Sequence, residues 1–162
     1  MINASEILNA KVLIVDDQQS NVLLLEKILQ DVGYTHVTST MDPHAVAALH
    51  RENRYDLILL DLQMPGLDGF HVMENLKTIE TESYIPVLVI TAQPAHKLRA
   101  LQAGAKDFVS KPFDLTEVKT RIHNMLEVRL LHRKLENYNK VLEQTVQERT
   151  AELRESEARF RA

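Results

Sequence analysis

The chain has 162 residues, of which 44% are hydrophobic, so it can bury the core of one compact domain and still leave residues over. The formal net charge of -4 argues against a broad lysine and arginine surface, so we expect no direct nucleic-acid contact. The absence of cysteine excludes disulfide bonds, thiolate metal sites and cysteine nucleophiles, and it fits a reducing cytoplasm.

The N-terminal residues show no basic segment followed by a sustained apolar stretch. No apolar run reaches the roughly 18 residues that a membrane-spanning helix requires. We therefore expect a soluble, cytoplasmic chain that makes no contact with a membrane.

Glycine and proline are distributed unevenly along the chain. All four glycines and all five prolines lie between residues 33 and 112, and the last 50 residues contain neither. Since these residues make turns and end helices, the change in composition divides the chain. We predict a globular domain over residues 1–126 and a helical segment over residues 127–162.

Five short segments carry the signal of β-strands. Residues 11–15, 55–60 and 85–90 are almost continuously apolar, and residues 36–40 and 106–110 are weaker candidates. The three strong segments do not alternate with polar residues, so each is expected to be buried on both faces. This pattern is typical of a parallel sheet.

Helix signals lie between these segments. Asp42 followed by Pro43 is typical of an N-cap with proline in the first turn, and Gly33 and Gly104 lie where helices should end. Asp114, with a glutamate three residues later, is spaced as a capping box for the last helix. The alternation predicts a doubly wound α/β fold, in which helices cover both faces of a five-stranded parallel sheet as a (βα)5 sandwich.

The last helix carries an apolar seam. From residue 115 onwards the helical signal is unbroken, and at about 1.5 Å per residue it could extend about 70 Å. Seam residues follow the 4,3 spacing of a coiled coil, so we predict a modest parallel homodimer; the alternative is a solvated single helix held by charge pairs. The first run is Leu131, Leu135, Tyr138, Leu142 and Thr145, and after a four-residue stutter the second is Val146, Arg149, Leu153, Ser156 and Phe160.

Polar side chains follow the ends of the predicted strands. They are Asp16 and Asp17 after the first strand, Asp61 after the third, Thr91 after the fourth and Lys111 after the fifth. If the strand order is 2-1-3-4-5, the first and third strands are neighbours and the three carboxylates converge at one edge of the sheet. Close carboxylates repel one another unless a cation neutralises them, and oxygen-only ligands favour Mg²⁺.

The same residues suit phosphoryl transfer. Asp61 is the best-placed nucleophile, and its attack on a phosphorylated donor would give an acyl phosphate. Lys111 and Thr91 are suited to hold the phosphoryl oxygens. Taken singly, these residues are explained as a helix cap, a solvated lysine and a packed threonine. Their succession after consecutive strands favours one common site.

Four motifs carry a resemblance to a known family. They are Val15-Asp16-Asp17, the stretch from Asp61 to Gly69, Thr91-Ala92 and Lys111-Pro112-Phe113. Through them, about residues 10–126 resemble the receiver domain of bacterial two-component response regulators. The resemblance implies a flavodoxin-like sheet of order 2-1-3-4-5 and a site that is competent for phosphorylation.

The resemblance also implies a metal site. Asp61 would be the phosphoacceptor. Asp17 and Asp61 would bind Mg²⁺ directly, together with the backbone carbonyl of Gln63, and Asp16 would help mainly through water.

Further roles concern the phosphoryl group and the response to it. Thr91, Ala92 and Lys111 would contact the phosphoryl group, and the Lys111–Pro112 peptide bond would be cis. Phe108 would be the switch aromatic that turns inward when Thr91 moves, and the alternative is that Phe108 is an ordinary core residue.

The tail resembles helices that connect receivers to output modules. Glu148-Arg149-Thr150 and residues 155–161 look like a linker into a sensory PAS domain or a cyclic-dinucleotide enzyme, so we expect an output domain in cis beyond residue 162. His132 could be a phosphoacceptor, as in histidine kinases, but it lacks the acidic neighbour and following proline of that pattern. A solvated coil residue is the favoured interpretation.

The predicted function is a receiver that takes a phosphoryl group from a histidine kinase or phosphotransfer protein and is not itself an enzyme. One alternative is a Mg²⁺-dependent aspartyl phosphatase of the haloacid dehalogenase type, although Gln63 stands where the second aspartate of its Asp-x-Asp signature would be. The other is a dimeric scaffold that works without phosphorylation.

Overall fold

The computed structural model describes residues 2–64, 68–79, 86–93, 95–112 and 114–161. Five parallel strands form one sheet in the order β2-β1-β3-β4-β5. This arrangement confirms the predicted fold class and strand order. The strands are β1 (Lys11–Val15), β2 (His36–Thr40), β3 (Leu57–Asp61), β4 (Val87–Thr91) and β5 (Asp107–Ser110).

Two of the strong strand predictions are displaced by one or two residues. β3 begins at Leu57 rather than at residue 55, because Asp56 still belongs to the approach to the strand, where its N–H donates to the carbonyl of Lys11 at 2.8 Å. β3 and β4 each continue one residue further, to Asp61 and Thr91. Other predicted positions lie outside the described residues, namely residue 85, residues 65–67 and Phe113.

Helices cover both faces of the sheet. Alternate residues of β1 enter opposite cores, with Val12 and Ile14 on one side and Leu13 and Val15 on the other. The first core is closed by α1, α2 and α6 and the second by α3, α4 and α5. The helices are α1 (Ala4–Leu8), α2 (Gln19–Val32), α3 (Val46–Asn53), α4 (Gly69–Ile79), α5 (Ala95–Gln102) and α6 (Leu115–Arg161), and a 3-10 turn over Pro43–Ala45 leads into α3.

The predicted helix boundaries rest on identifiable contacts. The Asp42 side chain accepts from the N–H of His44 at 2.9 Å, and the Asp114 side chain accepts from the N–H groups of the next turn at 3.0 and 3.4 Å. Gly33 ends α2 with a φ of 114°, and Gly104 follows α5 with a φ of 110°. A positive φ is strained for residues that carry a Cβ, so glycine is the residue suited to both positions.

Helix α1 is a feature that the sequence did not predict. Asn3 caps it by accepting from the N–H of Glu6 at 2.8 Å, and Ile7 is buried in the first core. Five residues are too few to show helical periodicity, so the pattern of apolar residues gave no signal.

Helix α6 changes character along its length. Its first turns contribute Val118, Ile122 and Leu126 to the first core, whereas every described side chain from Asn137 onwards is exposed. The predicted seam residues are all exposed, from Leu131 to Leu153. The seam is therefore an exposed apolar stripe on α6, and the pairing of this stripe with a second copy of the helix stays a prediction. No helix in the described part of the chain combines the length and apolar character needed to cross a membrane.

Candidate metal centre at the carboxyl ends of the strands

Three carboxylates meet where the first and third strands end. Asp16 and Asp17 follow β1, and Asp61 is the last residue of the neighbouring β3. One oxygen from each carboxylate lies within 4.8 Å of the others. The parallel pairing of Val15 with Leu60 sets this register, since it brings the two strand ends to the same level. We call these three residues and Lys111 the acidic site.

The donor set fits a hard divalent cation. Asp16 accepts through Oδ1 from the N–H of Gln18 at 2.9 Å, while its Oδ2 atom and Oδ1 of Asp17 are buried and accept no hydrogen bond from the described residues. Buried carboxylate oxygens without donors are costly unless a cation meets them. Oxygen ligands in this number suit Mg²⁺, which keeps several waters.

Gln63 is placed beside this cluster. Its N–H donates to Oδ1 of Asp61 at 3.1 Å, and its side chain is exposed. This contact fixes the backbone after β3 next to the carboxylate. The role of the Gln63 carbonyl as a metal ligand stays a prediction.

Lys111 supplies the positive charge of the acidic site. Its Nζ atom lies 3.2 Å from Oδ2 of Asp61 and 3.6 Å from Oδ2 of Asp16. Its backbone N–H donates to the carbonyl of Thr91 at 3.0 Å, and the peptide bond between Lys111 and Pro112 is cis, as the resemblance implies. Three carboxylates thus face one ammonium group.

Asp61 is the carboxylate whose protonation the site perturbs. Burial raises the pKa of Asp61 above its ordinary value of 3.8, and the Asp16 carboxylate adds to this effect. The N–H of Gln63 and the charge of Lys111 lower the pKa but do not cancel the rise. Additional positive charge would therefore favour the ionised, nucleophilic form of Asp61.

Thr91, Ala92 and Gln93 form the edge of the site beyond β4. Thr91 is buried, and its hydroxyl accepts from the N–H of Gln93 at 3.1 Å and lies 3.4 Å from the Gln93 carbonyl. Ala92 and Gln93 are exposed. The hydroxyl is thus engaged with its own loop, and a phosphoryl group would compete with that contact.

The comparisons with known proteins agree with this geometry. The family model for the response regulator receiver domain matches residues 12–123. The chain belongs to this family. The match excludes α1 and the last 39 residues, so it covers the sheet domain and the beginning of α6.

Relatives of established name show the same domain within longer proteins. The response regulator PleD of Caulobacter vibrioides is 37% identical over 126 residues, which are 76% of this chain and 28% of that protein. The alkaline phosphatase synthesis transcriptional regulatory protein PhoP of Bacillus subtilis is 36% identical over 74% of this chain and 49% of its own length. The chain spans about half or less of these relatives.

Solved structures show the same fold. The receiver domain of the sensor histidine kinase PA1611 from Pseudomonas aeruginosa aligns with a TM-score of 0.67 and 28% identity, over 74% of this chain and 98% of that one. That structure has a magnesium ion coordinated in its active-site cleft. NtrX from Brucella abortus aligns with a TM-score of 0.71 and 26% identity, over 80% of this chain and 29% of that one.

Phe108, on β5, lies against residues of α5 and α6. It is half-buried against the second core, with Nζ of Lys97 4.7 Å from its ring centroid and the guanidinium of Arg121 at 5.6 Å. Arg121 also binds both carboxylate oxygens of Asp107 at 2.8 and 2.9 Å. Phe108 therefore contacts both α5 and α6. Its role as a switch stays a prediction.

The structure requires glycine at position 69, next to the acidic site, for a reason that the sequence motif does not show. A Cβ added there would lie 2.7 Å from Cδ2 of Leu62, 2.8 Å from its Cα atom and 2.9 Å from the carbonyl oxygen of Asp61. Backbone atoms cannot move aside easily, so glycine allows α4 to start directly against the end of β3. Only the three-dimensional return of the chain shows this close approach.

His132, the other candidate phosphoacceptor, lies far along α6 from these residues in sequence. Its Nδ1 atom is 3.4 Å from Oε1 of Glu136 on the next turn. This contact with the next turn of the same helix is what a residue on the surface of a coil would make. His132 is not part of the acidic site.

Proposed function

We propose that this chain is a phosphoacceptor module in which Asp61 receives a phosphoryl group from a histidine kinase or a phosphotransfer protein. The convergence of three carboxylates and Lys111 at the carboxyl ends of β1, β3 and β5 carries this proposal. Isolated helix caps would have no reason to share one crevice. Membership of the receiver family supports the same assignment.

The proposed reaction is a transfer between two side chains. An ionised oxygen of Asp61 attacks the phosphorus of a phosphohistidine, and the new O–P bond forms as the N–P bond breaks. The imidazole leaves with the bonding electron pair and takes up a proton. Lys111, 3.2 Å from Asp61, is placed to stabilise the negative charge on the transferred oxygens.

Asp16, Asp17 and Asp61 would hold Mg²⁺, assisted by the Gln63 carbonyl. The ion would neutralise the carboxylates and bind phosphoryl oxygens. Thr91 and Ala92 would contact the remaining oxygens. In this role the Thr91 hydroxyl leaves its contacts with Gln93, which gives the loop after β4 two alternative arrangements.

We further propose that this change reaches an output module through α6. Phe108 contacts Arg121 of α6, and α6 continues as an exposed helix with an apolar seam that suits a parallel homodimer. Relatives that are longer than this chain, and of which the matched region is 28% and 49%, support a receiver that works in cis with a further domain. The proposed location is the cytoplasm. The proposed module has no catalytic activity beyond phosphorylation and dephosphorylation of its own Asp61.

Phosphoryl incorporation tests the proposal. Purified chain incubated with labelled acetyl phosphate and Mg²⁺ should incorporate up to one phosphoryl group per chain, and Asp61→Asn should abolish incorporation. Asp31→Asn, the same substitution on the exposed end of α2, is the matched control and should label normally. Labelling that persists in Asp61→Asn would reject Asp61 as the acceptor.

The same assay separates the alternatives. Steady release of phosphate from an added phosphomonoester would favour an aspartyl phosphatase. A wild-type chain that dimerises but never labels would favour the phosphorylation-independent scaffold.

A further inference from the structure

The amino ends of the strands carry a second group of charged residues, far from the acidic site. Asp56 lies just before β3 and is buried, and its Oδ2 atom accepts from the N–H of Lys11, at the start of β1, at 2.8 Å. The guanidinium of Arg133 forms an ion pair with Oδ1 of Asp56. A buried carboxylate on the sheet is thereby matched by a cation from α6.

A second ion pair links α6 to the N-terminal helix. Nζ of Lys134 lies 2.9 Å from Oε2 and 3.1 Å from Oε1 of Glu6 in α1. α1 is itself fixed to the domain, since Ile7 is buried in the first core and the Leu8 carbonyl accepts from the N–H of Thr35 at 3.3 Å. We call the Asp56–Arg133 and Glu6–Lys134 pairs the clasp.

Three of the four clasp residues, Glu6, Arg133 and Lys134, lie outside the part of the chain that matches the family. The family match ends at residue 123 and begins at residue 12, so α1, Arg133 and Lys134 are additions to the common domain. Packing accompanies the charges, because Arg129 is buried and Leu130 packs against the first core. The docked part of α6 therefore extends about two turns beyond residue 126.

The docked face and the seam occupy opposite sides of α6. At about 100° per residue, the docked positions 129, 130 and 133 are centred about 170° from the exposed seam positions Leu131 and Leu135, and Lys134 lies about midway between the two faces. One stretch of helix can therefore hold the receiver on one side and a second helix on the other. The seam begins while α6 is still attached to its receiver.

We propose that the clasp makes residues 127–134 part of the receiver's rigid body, with Asp56 and Arg133 as its principal positioning residues. The exposed part of α6 then projects from a point fixed at Lys134. A change in the orientation of the receiver is consequently passed on to the exposed part of α6, because bending at residues 127–134 is suppressed. That last consequence rests on the proposed function, whereas the rigid attachment does not.

Amide hydrogen exchange of the whole chain tests the attachment. Arg133→Gln and Asp56→Asn should each raise the exchange rates of amides 127–135 by about tenfold, because opening this segment no longer breaks the ion pair between the partly exposed Arg133 and the buried Asp56. Arg133→Lys keeps the charge and should restore much of the protection. Arg154→Gln, on the exposed part of α6 and outside the seam, is the matched control and should leave the rates within about twofold of wild type.

A substitution that destabilises the whole domain would raise amide exchange throughout it, so a distance measurement provides a second test of the attachment. The chain contains no cysteine, so nitroxide labels can be placed at Gln30→Cys in α2 and Gln144→Cys in α6, in labelled chain diluted with unlabelled chain. The interspin distribution should be broader in Arg133→Gln than in wild type or Arg154→Gln. Equal distributions together with unchanged exchange would overturn the clasp.

Phosphoryl labelling separates this inference from the proposed function. Clasp variants should still label at Asp61, because the substituted residues lie at the other end of the sheet. A wild-type chain that fails to label would reject the phosphoacceptor function, while altered exchange in Arg133→Gln would still support the clasp.

Discussion

The acidic site and the clasp lie at opposite ends of the same sheet and differ in charge balance. The acidic site places three carboxylates beside one ammonium group, whereas the clasp matches two carboxylates with two cations. An excess of like charge is unfavourable until a ligand neutralises it, and a matched pair already stabilises the folded chain. Charge excess therefore marks the end of this fold that we propose to be reactive, and charge balance marks the end that we propose to attach α6.

The largest expected effect comes from increasing the excess of negative charge in the acidic site. Lys111→Gln removes its cation, so labelling from acetyl phosphate with Mg²⁺ should slow by about 10²-fold, the scale found when a group that stabilises the transferred charge is removed. Lys77→Gln removes an exposed lysine of α4 and should label at the wild-type rate. Equal rates in the two variants would show that Lys111 only balances charge in the resting protein.

The next effect concerns the clasp. Arg133→Gln leaves the buried Asp56 carboxylate without its cation and should lower the free energy of unfolding by about 1–2 kcal/mol, a value reduced because Arg133 is partly exposed. Arg154→Gln, outside the seam, should change it by less than about 0.5 kcal/mol. Urea unfolding at one fixed protein concentration measures both. Equal free energies of unfolding for Arg133→Gln and Arg154→Gln would contradict a stabilising role of the Asp56–Arg133 pair.

Removal of a carboxylate from the acidic site should raise the free energy of unfolding, whereas breaking the Asp56–Arg133 pair should lower it. Because burial raises the pKa of Asp61, the folded chain holds that proton to a higher pH than the unfolded chain does, and stability falls as pH rises from 3.8 through the raised pKa. Without divalent cations at neutral pH, Asp61→Asn should therefore be more stable than wild type by about 1 kcal/mol.

Mg²⁺ supplies the control for that comparison. The ion should raise the midpoint of thermal unfolding of wild type and have less effect on Asp61→Asn, because the variant lacks one ligand. The two stability curves should also converge as pH falls below 3.8, where Asp61 is protonated in both folded and unfolded states. An Asp61→Asn variant that is less stable than wild type at neutral pH would show that the Lys111 contact outweighs burial.

The acidic site could be anticipated from sequence because its residues follow directly after strands. Strand ends in a parallel sheet meet at one edge, so a residue's position in sequence nearly fixes its place in the site. This reasoning anticipated the convergence of Asp16, Asp17, Asp61 and Lys111. It could not supply the distances, nor the approach of α4 that requires glycine at position 69.

The clasp could not be anticipated because its partners have no local pattern. Asp56 and Arg133 are separated by 77 positions, and in sequence each looks like an ordinary charged residue. Helix α1 is too short to show periodicity. The seam gave a clear 4,3 pattern from Leu131 onwards, but the docking of the same turns on the receiver depends on tertiary packing that periodicity does not encode.

The smallest effect concerns the more exposed pair of the clasp, Glu6 and Lys134, and tests whether this pair stabilises the chain through charge. The hydrogen bond from Lys134 holds the pKa of Glu6 below its ordinary value of 4.5, so the stability that this pair contributes is complete above 4.5 and is lost as pH falls through the lowered pKa. Glu6→Gln should lower the urea midpoint at neutral pH by less than Arg133→Gln does.

Glu143→Gln, on the exposed part of α6, is the control for Glu6→Gln. The difference between the two glutamate variants should vanish in about 1 M salt, where the Debye length is about 3 Å. A difference that survives in high salt would mean that Glu6 attaches α1 to α6 by packing rather than by charge.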